Sequence, residues 1–251
     1  MGQASVVTEF VYDGENIAME GFHADDSIFD KIAKNNTFYE HQLLEKARSL
    51  GLEGVYIDIG ANIGNHSIYF NRFCNSTKVY SFEIDETIFA ILKNNMEHNC
   101  EEGTYHLEDI GMLDKKRFVD LSDTNHLNAG MTKIVNVDGT DREVDTLDNV
   151  MQGVDNIALI KIDVEGFELE IIQGAQHILE TQSPVIFAEL ATKDEFKQFK
   201  QAVAEFGYST DMVNYAATPT YLFVKGSIPV GTKVKQSAKR LYWGVKDKLT
   251  K

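Results

Sequence analysis

The sequence predicts a doubly wound α/β domain, a mostly parallel seven-stranded sheet covered by helices on both faces. Three observations predict it. The stretch "VYIDIGANIGNHSIYF", residues 55–70, reads as a buried strand, a glycine turn and a helix in succession. Beyond it, short runs rich in β-branched and aromatic residues alternate with longer runs of helical period. And 251 residues with 43% hydrophobic content suffice for one large core.

The elements follow in order. Residues 6–20 alternate as a short hairpin does, with Asp13 and Gly14 as its turn. "FYEHQLLEKARSL", residues 38–50, is helical and stops at Gly51. Residues 1–50 therefore form an N-terminal hairpin and helix packed on a core of residues 51–226. Strands are expected at 55–60, 79–83, 104–109, 157–163, 184–190, about 208–213 and 221–225. Helices are expected at 63–73, 85–98, 166–180 and 193–206. No helix separates the last two strands, so the last one pairs antiparallel. Residues 114–150 interrupt the alternation. They are polar and read as hairpins inserted over the sheet edge, where such folds place substrate contacts.

Composition narrows the function. A net charge of −15 disfavours nucleic acid as a partner, because the chain would repel phosphates. Two cysteines, Cys74 and Cys100, argue against a disulfide scaffold and fit a reducing compartment. No apolar run is long enough to span a bilayer, and "MGQASVVTEF" has neither a signal-peptide pattern nor the Ser or Thr that myristoylation needs. A cytoplasmic location is expected, and the triplets at Asn35 and Asn75 are chance glycosylation matches.

In open α/β sheets the ligand lies beyond the carboxyl ends of the strands. Here those ends carry Asp58, Glu83, Asp109, Asp163 with Glu165 just beyond, and Glu189. Such a site repels a pyrophosphate. Gly60 and Gly64 also miss the G-x-G-x-x-G spacing, and no P-loop lysine follows. The expected ligand has a ribose, no phosphate and positive charge, which S-adenosylmethionine satisfies. Glu83, 19 positions after Gly64, is placed for ribose hydroxyls, and Asp109 for the adenine amino group. Gly60, Ala61, Asn62 and Gly64 of the turn, with Ile84 and Ile110 after the acids, complete the cofactor set. Each acid alone reads equally as a helix cap or a solvated loop residue. Their conjunction carries the reading.

The segments "FYEHQLL", "IDIGANIGNHS", "VYSFEIDETIFAILKNNMEHN", "VDTLDNV", "ALIKIDVEGFELEIIQGAQHIL" and "PVIFAEL" run in one order over roughly residues 8–225. In them the chain resembles the FkbM-type S-adenosylmethionine-dependent methyltransferases. The resemblance implies a class I methyltransferase (Rossmann-like) fold and, for the family, methyl transfer mostly to a hydroxyl oxygen. His66 departs from it, standing where the family tends to have an aromatic such as Tyr, and "HLEDIGM" is a loose version of the usual third-strand segment.

A hydroxyl needs alignment with the methyl group and a proton acceptor. Asp163 and Glu165 are the first candidates, one as base and the other holding the substrate or the methionine ammonium. His66 and His126 are rival bases. Asn128, in a segment similar to the family's Asn-x-Gly, and Glu189 are candidate substrate contacts. Magnesium or calcium on Asp163, Glu165 and Glu189 is the alternative to substrate hydroxyls taking those hydrogen bonds. Glu165 also reads as an acid at the start of a helix. Lys161 shares a face with Asp163 and reads as one half of a structural ion pair, ahead of a catalytic role.

The expected activity is O-methylation of a sugar or glycan, lipid-linked glycans included. The alternatives are methylation of a small secondary metabolite and a non-catalytic scaffold in a glycan-assembly complex. Residues 227–251 form a basic tail with a net charge of +6, against −21 for the rest. On a helix, Val234, Ala238, Leu241, Val245 and Leu249 make one stripe, although Trp243 projects away from it. The tail suits an anionic membrane surface or an acidic partner. Equally it suits a helix folded back on the acidic body or a solvated terminus.

Overall fold

A computed structural model describes residues 6–22, 27–122 and 133–226. The extension is a hairpin, β1 (Val6–Tyr12) and β2 (Glu15–Gly21), followed by helices α1 (Ser27–Asn35) and α2 (His41–Ser49). Strand β3 (Gly54–Ile59) then alternates with α3 (Asn65–Phe73), β4 (Ser76–Phe82), α4 (Glu86–Asn99) and β5 (Tyr105–Glu108). A small sheet follows, made of β6 (Gly111–Met112), β7 (Arg117–Leu121), β8 (Ile134–Asn136) and β9 (Arg142–Asp145), and then the short α5 (Leu147–Val150). The chain returns through β10 (Ile157–Ile162), α6 (Glu168–Gln173), α7 (Gln176–Thr181), β11 (Val185–Glu189), α8 (Lys193–Ala204), β12 (Tyr208–Asn214) and β13 (Thr220–Lys225).

The main sheet has seven strands in the order β12-β13-β11-β10-β3-β4-β5. The last strand, β13, runs antiparallel to both its neighbours, while the pairs among the other central strands are parallel. Side chains of a strand alternate between the two faces. Tyr56, Leu159 and Phe187 therefore join the core under α3, α4 and the extension. Val55, Ile57, Ile59, Ile186 and Ala188 join the core under α6, α7 and α8. Strand order reverses beside β3, so the carboxyl ends of β3, β4 and β10 frame the site.

Three expectations are corrected. The helix expected at 166–180 is two helices. A Cβ on Gly174 would lie 2.2 Å from the Leu113 carbonyl oxygen, so the chain passes there only as glycine. The new helix start is satisfied from outside, by Asp148 accepting from the N–H groups of His177 and Ile178. The insertion is more than hairpins, because β6 pairs parallel with β9. The helix expected from residue 38 starts at His41, since Glu40 takes a left-handed φ of 55°. Helix α1 lies where no helix is expected.

The extension is fixed to the core by polar and aromatic contacts. Asn95 and Asn99, one turn apart on α4, each pair with the free backbone edge of β2. The Asn95 amide takes the N–H of Glu20 at 2.7 Å and gives to its carbonyl at 2.9 Å. The Asn99 amide does the same with Ala18 at 3.0 and 2.7 Å. Phe38 meets Phe10, Tyr12 and Tyr69 edge-on at centroid distances of 5.2–5.3 Å.

Candidate active site

The site begins with a row across three strands. Register places Ser81 of β4, Asp58 of β3 and Lys161 of β10 side by side. Asp58 is fully buried. Its Oδ2 accepts from Ser67 at 2.6 Å, and Oδ1 faces the Lys161 ammonium at 3.2 Å. Lys161 also donates to the Gly60 carbonyl at 2.9 Å and lies 3.3 Å from Asp163. A buried ammonium is tolerated only when surrounded in this way. Burial works against its charge, but the two carboxylates win and hold Lys161 protonated. The ion-pair reading of Lys161 is thus the one its surroundings favour.

Above this row lies the turn. Gly60 has φ 73°, and a Cβ there would come 1.9 Å from the Asp163 carbonyl oxygen, so close approach of two strand ends demands glycine. Asn62 is left-handed, and its side chain accepts from the next N–H at 2.6 Å, which is how asparagine occupies that conformation. The N–H of Asn62 donates to Glu83 at 2.9 Å, as does that of Asp85. Burial pushes the Glu83 carboxyl up to about 7 despite these two bonds.

A cavity of about 260 Å³ opens over the turn. Of the cofactor set, Gly60, Ala61, Asn62, Glu83, Ile84 and Asp163 line it. Asp58, Gly64, Asp109 and Ile110 do not. Asp58 lies beneath the turn, Gly64 caps α3, and the Asp109 carboxylate is taken by Arg142. His66, Glu165 and Glu189 also line the cavity. His126 and Asn128 lie outside the described residues, as does the tail.

The acids are differentiated. Glu189 is raised by burial first, then by Asp163 beside it, so it holds its proton at neutral pH. Burial alone would raise Asp163 too. The Lys161 ammonium and a hydrogen bond with Glu189 outweigh it and hold Asp163 below the usual carboxylate range. Glu165, left-handed at φ 60°, reaches Lys133 at 3.2 Å. Among the described residues no cluster of three or more histidine, cysteine or acidic side chains is arranged to hold a metal ion.

Several lining residues carry no mark in the sequence, among them Lys31, Tyr39, Glu40 and Thr218. Tyr39 and Glu40 reach the cavity from just before α2. The Tyr39 backbone exchanges two hydrogen bonds with the Asn65 side chain, at 2.9 and 3.1 Å. Glu40 Oε2 lies 3.1 Å from His66 Nε2. Burial, then Glu40, Glu189 and Asp163, keep the Tyr39 phenol un-ionised. Nothing in residues 38–50 marked the break before His41, because glutamate carries no preference for positive φ.

Residues 58–211 match the model of a family described as Methyltransferase FkbM domain. No curated protein matches the chain. Among solved structures, the fold is similar to that of Methyltransferase FkbM from Methylobacillus flagellatus KT, with a TM-score of 0.51 and 15% identity over 68% of this chain. This chain spans 43% of the length of that one. A second likeness is Precorrin-6y C5,15-methyltransferase from Geobacter metallireducens GS-15, with a TM-score of 0.49, 15% identity, and 75% and 87% of the two chains covered. A third is TYW2 from P. horikoshii in complex with MeSAdo, with a TM-score of 0.45, 18% identity, and 88% and 70% covered.

Proposed function

The chain belongs to the FkbM methyltransferase family, and from that premise we propose that it is an S-adenosylmethionine-dependent O-methyltransferase acting on a hydroxyl of a sugar or glycan. The observation that carries the cofactor half is Glu83. Its carboxylate is fixed by two backbone N–H groups at the rim of the glycine turn and lines the cavity. An acceptor-only group there fits ribose hydroxyls. Gly60, Ala61 and Asn62 would hold the nucleoside beside it, and Ile84 supplies apolar contact. Glu40, Asp163 and Glu165 outnumber Lys31 and Lys161 on the cavity wall, and this net negative balance suits a sulfonium and an ammonium and opposes a pyrophosphate. When bound, the cofactor supplies an electrophilic methyl group.

The acceptor reading rests on the same wall. Carboxylates accept hydrogen bonds from hydroxyls, so the wall suits a polyhydroxylated, uncharged molecule and disfavours a phosphorylated one. Magnesium or calcium is not needed to explain the acids, since Lys161, Lys133 and a shared proton already account for Asp163, Glu165 and Glu189.

Calorimetric titration with S-adenosylhomocysteine tests the cofactor half. Wild type should bind, and Glu83→Ala should bind ten- to a hundredfold more weakly, the loss of about 1.5–3 kcal/mol expected for charged hydrogen bonds. Silence in the wild type sinks the reading. The acceptor half is tested by incubating protein and S-adenosylmethionine with neutral methyl glycosides and oligosaccharides. Methylated glycoside is expected by mass spectrometry. Turnover confined to non-sugar acceptors would reject it.

A further inference from the structure

We propose that Glu40 and His66 form a dyad in which His66 Nδ1 takes the proton from the acceptor hydroxyl and Glu40 fixes the ring that does so; this rests on the methyl-transfer reading above. The extension and the core each contribute one member. His66 stands in the first turn of α3, and Glu40 precedes α2. Both side chains are almost wholly buried, at 7% and 5% exposure, yet both line the cavity. Their separation is 3.1 Å. An ionised carboxylate only accepts, so the hydrogen sits on Nε2 and the lone pair on Nδ1. Among the described residues Nδ1 takes no hydrogen bond, and it is absent from the buried unpartnered atoms, so it keeps access to the cavity.

The backbone around Glu40 is built for this contact. A glutamate at φ 55° is a strained conformer. It is held by the paired hydrogen bonds of Tyr39 with Asn65 and by Leu43 and Leu44 donating to the Glu40 carbonyl. Asn65 and His66 are neighbours, so one segment of α3 grips residue 39 and meets the carboxylate of residue 40.

The other candidates are weaker bases. Glu189 already holds a proton, Asp163 is engaged by Lys161 and Glu189, and Glu165 faces Lys133. His66, by contrast, has Glu40 beside it and lies within electrostatic reach of Asp163, with Tyr39 un-ionised on the same wall. Two carboxylates stabilise the imidazolium once formed. In the step, the O–H bond breaks and its electron pair stays on oxygen as the new O–C bond forms. The methyl–sulfur pair leaves with sulfur. The proton rests on Nδ1 until water removes it.

Nitrogen-15 NMR of the histidines in the full-length protein tests the dyad without a substrate. Wild type should show His66 as the Nε2–H tautomer, and Glu40→Gln, whose amide can donate as well as accept, should raise the share of the Nδ1–H tautomer. An Nδ1–H tautomer in the wild type, or a tautomer ratio that Glu40→Gln leaves unmoved, overturns the proposal. Should Glu40→Gln fail to fold, the wild-type tautomer still decides. On any glycoside that the wild type methylates, His66→Gln should lose about a hundredfold or more in kcat. Glu40→Gln should lower kcat with little change in KM, because it disturbs the ring that takes the proton and not the binding of the acceptor. An unaltered kcat in Glu40→Gln refutes the dyad. Wild-type binding of S-adenosylhomocysteine is measured separately, so a failed cofactor reading shows as a silent titration with an intact tautomer.

Discussion

Lys161 is the residue whose surroundings make the sharpest demand. Its ammonium is buried between Asp58, Asp163 and the Gly60 carbonyl. Asp58→Ala would leave it short of one carboxylate, and removing one partner of a buried pair typically costs about 3–5 kcal/mol. Denaturant unfolding should show a loss of that order, with Asp58→Asn milder because it can still accept from Ser67. An Asp58→Ala protein of wild-type stability would show that the pair contributes nothing. Glu83 makes a different demand. Its carboxyl ionises near pH 7 in the free protein, and ribose hydroxyls need the ionised form. Affinity for S-adenosylhomocysteine should therefore fall as pH drops below about 7, by up to tenfold per unit, and flatten in Glu83→Gln. Part of this was legible in the chain. Lys161 and Asp163 share a face by strand period, so an ion pair could be foreseen. That Asp58 is the second partner depends on the register of β10 against β3, which no local pattern encodes. Glu40 was invisible for a related reason: its role follows from a strained φ fixed by a side chain 25 positions away, Asn65.

At the scale of elements, the alternation of strands and helices was legible because apolar period and glycine punctuation are local. The break between α6 and α7 was not, because it answers to Leu113 and Asp148, both distant in sequence. The same holds for the docking of the hairpin. Asn95 and Asn99 read as ordinary polar positions of a helix, yet each completes two hydrogen bonds with β2. Truncation of either to alanine strands a backbone N–H and a carbonyl, at about 1–3 kcal/mol for each group left buried. Hydrogen exchange at Ala18 and Glu20 should accelerate at least tenfold in Asn95→Ala/Asn99→Ala. Exchange as slow as in the wild type would mean that the aromatic contacts around Phe38 and the ion pairs of Asp13 with Arg48 and Glu15 with Arg72 suffice to hold the hairpin.

For the whole molecule, the pH dependence of stability has a definite sign. Glu83 and Glu168, each pushed up by burial to about 7, and Glu189 have folded pKa values above their unfolded ones. Their contribution is fully present below about pH 4.5 and is lost as pH rises through 7 and beyond. Asp163 and Glu45 are lowered, the latter by its hydrogen bonds from Tyr12 and Tyr69. They add stability only above their unfolded values and are constant from pH 5 upward. The ligand-free protein should therefore melt at a higher temperature at pH 5.5 than at pH 8 by calorimetry, and the reverse order would contradict the burial of these acids. The basic tail concerns the whole molecule as well. A protein ending at Ser227 should lose any salt-sensitive sedimentation with anionic liposomes, and equal behaviour of both lengths would deny the tail a membrane role. The amide clasp of Asn95 and Asn99 has one more consequence. It is uncharged, so neither electrolyte nor acid can loosen it directly. The wall that brings Tyr39 and Glu40 to the cavity thus belongs to a segment moored in part by neutral groups, beside the ion pair of Glu15 with Arg72, and a change of medium that weakens that ion pair leaves the amide clasp in place.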